Sequence, residues 1–247
     1  MSTYVLVHGG AHGGWCYAKV SPLLRSAGHE VYTPTLTGLG ERSHLLHPGV
    51  DLNLHITDVV NVLHYEDLRD VILVGHSYGG MVITGVADRA SDRIRHLVYL
   101  DAALPEDGES LASMNPLTME PTYAGVRIVN DVELVLWPDP AADSYYGVTD
   151  PADVEWMRGR LTPHPWRSFA QPLRLRDAAR VKRIPRTNIN CTETLARRPP
   201  ERQARAFDAD NVWEINTGHD LMITEPRAVA DLLLQIPKLP QGRHQPS

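Results

Sequence analysis

The chain is poor in the features that mark exported and membrane-spanning proteins. Only two of its 247 residues are cysteines, Cys16 and Cys191, which is too few for a disulfide framework. It contains no run of eighteen apolar residues that could span a bilayer. Its first residues lack the basic start and the cleavage site of a signal peptide. We therefore expect a cytoplasmic protein with free thiols and no membrane partner; the alternative is a single disulfide in an exported protein.

An excess of positive charge is also absent. The chain has 24 Lys and Arg against 30 Asp and Glu, a net charge of −6, and the two signs are mixed along its length. This balance argues against nucleic acid or an anionic membrane as the main partner. The hydrophobic fraction of 43% is enough for a large core, so we expect one α/β domain or such a domain with an insertion.

Signatures of cofactor and metal binding are missing too. A glycine-rich stretch, residues 9–15, follows the first predicted strand, but it contains neither Gly-x-Gly-x-x-Gly nor Gly-Lys-Ser/Thr. His8 and His12 have the spacing His-x-x-x-His, but no acidic residue accompanies them, so the histidines form no metal-binding pair with acidic partners. We therefore predict that the protein uses no cofactor and no metal.

What the chain does have is an alternation of strand and helix patterns. Apolar runs predict six strands, and segments with helical spacing lie between them. This alternation predicts a mostly parallel, doubly wound sheet with helices on both faces and a site at the carboxyl ends of the strands. The predicted strands are residues 4–8, 30–34, 71–74, 94–100, 186–192 and 212–216. The clearest predicted helices are residues 54–68, 81–87 and 226–236.

The most informative stretch is residues 71–80, where four apolar residues run into Gly-His-Ser-Tyr-Gly. A strand, a sharp turn and a helix, with Ser77 at the turn, form a nucleophile elbow. The turn is strained and needs small flanking residues, which Gly75 and Gly79 supply. The N-terminus of the following helix favours negative charge near Ser77. We predict that Ser77 is a nucleophile.

A serine nucleophile needs a base and a place for the negative charge that develops on the substrate oxygen. His219 lies just after the last predicted strand, so we predict that it is the base. We assign the oxyanion hole to the backbone N–H groups of Tyr78, which follows the serine, and Gly10, in the loop after the first strand. His8 and His12 are candidates for supporting the site or contacting a substrate, and His76 is predicted to be structural.

The regular pattern breaks between the fourth and fifth predicted strands. Residues 104–180 are rich in proline, show no clean strand period and contain a candidate helix at 153–161. We predict a mainly helical lid or cap at 104–180, a core formed by 1–103 and 181–240, and a flexible tail at 241–247. An irregular insertion with its own small core is the alternative for the lid.

These motifs resemble the α/β-hydrolase superfamily, and within it the group of plant methyl esterases, plant hydroxynitrile lyases and related bacterial esterases that include pyrethroid-hydrolase-like enzymes. The resemblance covers nearly the whole chain. It is strongest in four stretches, residues 5–15, 75–80, 191–193 and 218–226. It implies the α/β-hydrolase fold, a mechanism without a cofactor and a small lid. Dimers through the lid or the outer helices occur in this group, so a homodimer is a further expectation.

Two positions place the chain on the esterase side of that group. The lyases have threonine where this chain has Gly9, and lysine directly after the catalytic histidine, where this chain has Asp220. That lysine helps to bind cyanide, which an aspartate would repel. Cleavage of hydroxynitriles is therefore not expected.

The acid that should accompany the histidine departs from the family pattern. The plant enzymes have an aspartate in the slot that Thr194 occupies here. Asp101 ends the strand beside the elbow strand, where some lipases of the superfamily carry their acid, and Glu193 is one residue from the family slot. We favour Asp101; its alternative role is that of a turn or capping residue before Pro105.

The leading hypothesis is a serine carboxylesterase that acts on a small to medium ester. Trp137, Trp156 and Trp166 in the lid segment suggest apolar or aromatic parts in the substrate, unless they form the core of the lid. A second hypothesis is a lyase, lactonase or other tailoring enzyme of a biosynthetic pathway. A third is a ligand receptor with a weakened triad, and the intact Ser77 and His219 argue against it.

Overall fold

A six-stranded parallel sheet forms the centre of the computed structural model, which describes residues 1–136 and 146–239. Its strands are β1 (Thr3–Val7), β2 (Glu30–Tyr32), β3 (Val71–His76), β4 (Ile94–Leu100), β8 (Arg186–Cys191) and β9 (Asn211–Ile215). They lie side by side in the order β2-β1-β3-β4-β8-β9. All six predicted strands are present, and the predicted α/β-hydrolase type of fold is confirmed.

Helices connect these strands and cover both faces of the sheet. The helices of the first half are α1 (Ser21–Ser26), α2 (Leu52–Tyr65) and α3 (Gly79–Arg89). Those after β8 are Thr192–Leu195, Pro200–Phe207, Leu221–Thr224 and Pro226–Leu233. Short 3₁₀ turns lie at Gly14–Tyr17, Gly40–Leu45, Ser91–Arg93 and Ile236–Lys238. Asp51 caps α2 by accepting a hydrogen bond from the N–H of Leu54 at 2.9 Å.

The core is divided by the sheet into two layers. In β3, Val71 and Leu73 face one layer, which contains residues of α2 and α3, whereas Ile72 and Val74 face the other, which contains the helix Pro226–Leu233. All four of these strand residues are fully buried. Because both faces are covered, β1 and β3 contain continuous apolar runs rather than alternating ones, and this pattern made them recognisable in the sequence.

The segment 104–180 lies between β4 and β8, which are neighbours in the sheet. It contains helices at Leu111–Met114, Pro116–Ala124, Pro151–Arg158, Trp166–Ala170 and Ala178–Lys182. It also contains a small antiparallel sheet of β5 (Arg127–Val129), β6 (Val132–Val135) and β7 (His164–Pro165). The helix near residues 153–161 was predicted, but this sheet was not, because β5 is exposed along its whole length and carries no alternation of buried and exposed residues.

Some sequence predictions concern residues outside the described part of the chain. The predicted tail at 241–247 and Trp137 are among them. Within residues 1–136 and 146–239, no helix is both long and apolar enough to cross a bilayer.

Candidate active site

Ser77 occupies the turn between β3 and α3 with a φ of 53°, in the left-handed region that non-glycine residues rarely adopt. The turn is closed so tightly that a Cβ atom on Gly75 would lie 2.6 Å from the carbonyl oxygen of Gly79. A Cβ atom on Gly79 would lie 2.7 Å from the carbonyl oxygen of Val7. The predicted need for small residues at these two positions is therefore confirmed by the geometry.

The structure brings Ser77, His219 and Asp101 together at the carboxyl ends of the strands. The Oγ atom of Ser77 lies 2.8 Å from Nε2 of His219, and Nδ1 of His219 lies 2.6 Å from Oδ2 of Asp101. Ser77 follows β3, Asp101 follows β4, and His219 lies in the loop after β9. This is the relative geometry of a nucleophile, a base and an acid that orients the base.

The carboxylate of Asp101 is buried and held by several donors. The Oγ1 hydroxyl of Thr194 lies 2.8 Å from both carboxylate oxygens, the guanidinium of Arg198 forms an ion pair with Oδ1, and the N–H of Cys191 donates at 3.3 Å. Burial alone would raise the pKa of Asp101, but the hydrogen bond with His219 and the charge of Arg198 outweigh it and lower that pKa to about 2. Asp101 is therefore ionised at any ordinary working pH.

This arrangement favours Asp101 over Glu193 as the partner of the histidine. Glu193 is exposed, whereas Asp101 is 2% exposed and is bonded to the imidazole. Thr194, in the slot that holds aspartate in the plant enzymes, turns its hydroxyl toward Asp101. Threonine cannot supply a charge, but it supplies a donor to the carboxylate that does.

The loop after β1 lies directly against the serine. A Cβ atom on Gly9 would lie 2.8 Å from Cβ of Ser77. His8 fixes this loop: its Nε2 accepts from the N–H of Leu36 at 3.0 Å, so its protonated Nδ1 donates to the carbonyl of Gly9 at 2.8 Å. Burial lowers the pKa of His8 to about 3, so this imidazole is neutral.

The two N–H groups assigned to an oxyanion hole are free to donate. Among residues 1–136 and 146–239, neither the N–H of Gly10 nor that of Tyr78 has a hydrogen-bond acceptor. Tyr78 immediately precedes α3, where unpaired N–H groups are expected. Its side chain is buried, and its hydroxyl contacts Nδ1 of His55 at 2.9 Å.

His76 supports the backbone of His219. Its Nε2 donates to the carbonyl oxygen of His219 at 3.0 Å, and burial lowers the pKa of His76 to about 3. This contact agrees with the structural role predicted for His76.

Sequence reasoning missed Arg198 and the contact between His12 and Asp220. The Nε2 atom of His12 lies 3.0 Å from Oδ2 of Asp220, although the residues are 208 positions apart. The sequence makes His12 a candidate for supporting the site or contacting a substrate, and marks Asp220 only as a departure from the lyase pattern, but it does not pair the two. A buried carboxylate requires a donor, but nothing local in the sequence identifies which residue provides it.

The described tryptophans of the 104–180 segment are packed against protein. Trp166 is 8% exposed and its ring lies 4.9 Å from that of Tyr123. The ring of Trp156 lies 5.1 Å from that of Trp15. Trp166 belongs to the core layer of α2 and α3, and Trp156 packs against the other main layer, so neither forms a separate core of the segment. Within the same described residues, no group of three or more His, Cys, Asp and Glu side chains is arranged to hold a metal ion.

Residues 4–232 match the alpha/beta hydrolase family, which decides the classification. The chain belongs to the alpha/beta hydrolase family. Among its relatives is the carbendazim hydrolyzing esterase of Nocardioides sp. (strain SG-4G), 39% identical over 94% of this chain and 98% of that protein. Methylesterase 1 of Arabidopsis thaliana is 27% identical over 94% of this chain and 95% of its own.

Solved structures of the family agree with this classification. An extracellular alpha/beta-hydrolase from a Paenibacillus species superposes with a TM-score of 0.82 and 27% identity, over 98% of this chain and 100% of the other. A pyrethroid hydrolase from Sphingobium faniae has the same fold, with a TM-score of 0.73 and 20% identity over 97% of this chain and 98% of its own. With named esterases and methylesterases as relatives, this alpha/beta hydrolase is an enzyme of the carboxylesterase type.

Proposed function

We propose that the protein hydrolyses a carboxylic ester through an acyl-enzyme on Ser77, with His219 as the base and Asp101 as the acid of the triad. The observation that carries the proposal is the unbroken line of contacts from the Ser77 hydroxyl through both nitrogens of His219 to Asp101, at 2.8 and 2.6 Å. Contacts of this kind let the serine pass its proton to the histidine as it attacks a carbonyl carbon.

In the acylation half of the reaction, Ser77 Oγ attacks the ester carbonyl and Nε2 of His219 takes its proton. The charge of Asp101 stabilises the imidazolium and keeps the proton of the resting histidine on Nδ1. The N–H groups of Gly10 and Tyr78 donate to the substrate oxygen that becomes negative. This oxygen lies at the N-terminal end of α3, where the helix dipole also favours a negative charge. His219 then returns the proton to the leaving alcohol.

Deacylation repeats these steps with water in place of the serine. Water enters the space of the departed alcohol, His219 takes its proton, and hydroxide adds to the acyl carbon. Collapse of the second tetrahedral intermediate releases the acid and returns the proton to Ser77. The low pKa of Asp101 keeps its negative charge in place through both halves.

For the substrate, we propose a small to medium, partly apolar ester with a small alcohol as its leaving group. The support comes from the relatives, which are named for carbendazim hydrolysis and as methylesterases. Methyl esters of aromatic and aliphatic acids are therefore the first compounds to try, with carbendazim beside them.

The test combines hydrolysis of p-nitrophenyl acetate and butyrate with labelling of the serine. We expect wild type to turn over with an initial burst of p-nitrophenol and to gain one fluorophosphonate adduct on Ser77 by mass spectrometry. Ser77→Ala should lose both. Asp101→Asn should lower kcat by about 10⁴, because loss of the triad acid costs roughly that factor. Glu193→Gln is the matched control and should keep wild-type activity.

The same assay separates the competing functions. A wild type with no turnover and no adduct would refute the serine esterase proposal and favour a receptor. An adduct on Ser77 without turnover of any ester would favour a lyase or another tailoring reaction.

Three further features of the protein are proposals of the same kind. We propose that 104–180 caps the site, with support from the hydrogen bond between His164 of this segment and the N–H of Ala11 at 3.1 Å. A homodimer through this segment is proposed with support from the exposed side chains of Leu117 and Ile128, and light scattering on the purified protein tests it. Fractionation of the source cells tests the proposed cytoplasmic location.

A further inference from the structure

A second pair of charged side chains lies beside the triad and takes no part in the mechanism above. His12, in the loop after β1, and Asp220, the residue after His219, are 1% and 0% exposed. Their contact of 3.0 Å joins Nε2 of His12 to Oδ2 of Asp220. The ring of His12 stacks on that of Trp15, with centroids 5.2 Å apart, and meets the ring of Tyr146 edge-on at 5.4 Å.

The contacts of His12 define its charge. Its Nδ1 lies 2.7 Å from the carbonyl oxygen of Gly10, which can only accept a hydrogen bond, so Nδ1 carries a proton. Its Nε2 faces the carboxylate of Asp220. Burial lowers the pKa of His12, but the charge and hydrogen bond of Asp220 outweigh this and raise it, while His12 lowers the pKa of Asp220. The pair is therefore an imidazolium and a carboxylate, with both ring nitrogens of His12 donating.

One end of this pair holds the loop that carries the Gly10 N–H group. The peptide between Gly10 and Ala11 is fixed on both sides, because its carbonyl accepts from His12 and its N–H donates to Nδ1 of His164 at 3.1 Å. The preceding peptide has its carbonyl fixed by His8. The N–H of Gly10 belongs to that preceding peptide, so these histidines determine where it points.

The other end of the pair holds the turn that carries His219. The N–H of Asp220 donates to the carbonyl of Tyr146 at 2.9 Å, and its carbonyl accepts from the N–H of Ile223 at 2.8 Å. Asp220 therefore sits on a fixed backbone, with the imidazole of His219 on the residue before it. The hydrogen bond between His12 and Asp220 therefore connects the loop of Gly10 to the turn that carries His219.

We propose that His12 and Asp220 are positioning residues, which set the N–H of Gly10 at a fixed place relative to the imidazole of His219 through their mutual hydrogen bond. The proposal rests on the esterase function proposed above. Neither residue touches the reacting atoms. Together they hold the loop of Gly10 in place against the turn that carries His219. Their loss should therefore weaken stabilisation of the transition state more than binding of the substrate.

The variants must separate hydrogen bonding from the burial of charge. Removing one partner leaves the other as an unpaired buried charge, which threatens folding. The double variant His12→Phe with Asp220→Leu removes both charges together and keeps side chains of similar shape. The single variant Asp220→Asn removes the charge but keeps both hydrogen bonds, because its amide can donate to Nε2 of a neutral His12 whose Nδ1 still donates to Gly10.

We expect the double variant to lower kcat for p-nitrophenyl acetate by 10- to 100-fold, with KM within about threefold of wild type, since loss of an aligned oxyanion donor costs up to about 10²–10³ in kcat. Its rate of phosphonylation at Ser77 by a fluorophosphonate should fall by a similar factor. Asp220→Asn should stay within about threefold of wild type in both rates. His96→Phe is the control: His96 is buried and contacts Thr187 at 2.9 Å, away from the triad, so this change should leave both rates unaltered.

Each outcome has a defined meaning. A folded double variant with wild-type rates overturns the positioning role, as does an Asp220→Asn variant that falls as far as the double variant. If wild type itself forms no adduct, the proposed function fails, and this proposal fails with it. The ion pair has a readout that needs no activity: the ¹⁵N spectrum of His12 should show two protonated nitrogens in wild type and one in Asp220→Asn. A neutral His12 in wild type would refute the ion pair.

Discussion

At the scale of single residues, the proposed triad takes its carboxylate from Asp101, at a different position from the acid of the plant enzymes. The family slot for the acid holds Thr194, and the proposed acid, Asp101, follows β4 and contacts the imidazole of His219. Thr194 contacts both oxygens of Asp101, and Arg198 adds a positive charge beside them. Position within the motif points to residue 194, whereas the strand-end argument points to Asp101, because parallel strands place their carboxyl ends at one edge.

The hydroxyl of Thr194 should be worth more than an ordinary surface hydrogen bond. Thr194→Val removes a donor to a buried carboxylate, and such bonds contribute about 1.5–3 kcal/mol. We expect the free energy of unfolding to fall by about that amount and kcat to fall several-fold. Thr192→Val is the matched control, because its hydroxyl donates to Asn216 at an exposed position and should change stability by less than about 0.5 kcal/mol. Urea unfolding and ester hydrolysis measure both; equal losses in the two variants would contradict the prediction.

The low pKa of Asp101 also predicts how stability depends on pH. Its pKa is about 2 in the folded protein and 3.8 for the free side chain, so the unfolded chain takes up the proton first as the pH falls. The contribution of this residue is complete above pH 3.8 and is lost between that pH and about 2; it amounts to about 2 kcal/mol. Urea unfolding between pH 5 and pH 2 should show a steeper loss for wild type than for Asp101→Asn. Parallel curves would refute the assignment.

At the scale of elements, the strands and the elbow were predictable because their signals are local. Strands β1 and β3 contain apolar runs covered on both faces, and the elbow follows directly from Gly-His-Ser-Tyr-Gly. The small sheet of the 104–180 segment gave no such signal, since β5 is exposed and β7 is two residues long. The pair of His12 and Asp220 also had none, because a contact between residues 208 positions apart depends on the completed fold.

The packing of the elbow gives a prediction for Gly79. A Cβ atom there would meet the carbonyl oxygen of Val7 at 2.7 Å and that of His8 at 2.9 Å, so Gly79→Ala must push β1 and its loop away from α3. Overpacking of this kind costs about 1–3 kcal/mol, and the shift should also reduce kcat, because the loop carries Gly10. Gly125→Ala is the control: the nearest atom to its Cβ is the carbonyl oxygen of Thr122 at 3.4 Å. Thermal unfolding should distinguish them, and a wild-type Tm and kcat in Gly79→Ala would contradict this account.

At the scale of the whole molecule, the described residues of the segment 104–180 include two parts with different attachments to the core. The part around residues 161–173 is bound to the site itself: His164 and Phe169 are buried, their rings stack at 4.0 Å, and a Cβ atom on Gly10 would lie 2.8 Å from Phe169. The helices Leu111–Met114 and Pro116–Ala124, in contrast, contain no buried residue. A lid that opened as one unit would have to pull Phe169 out of the core and release the loop of Gly10.

This division predicts two levels of protection from hydrogen exchange. Amides of the helix Trp166–Ala170 should exchange nearly as slowly as those of β3, because exposing them requires opening the packed core around Phe169. Amides of Pro116–Ala124 should exchange many-fold faster, since that helix has no buried side chain to hold it. Exchange followed by mass spectrometry on peptides covering the two helices measures the difference. If both helices exchanged together, the segment would open as a single lid. Its contact with the loop of Gly10 would then have to break each time a substrate enters. Separate exchange would mean that only the outer part can move while His164 and Phe169 keep the loop of Gly10 in place.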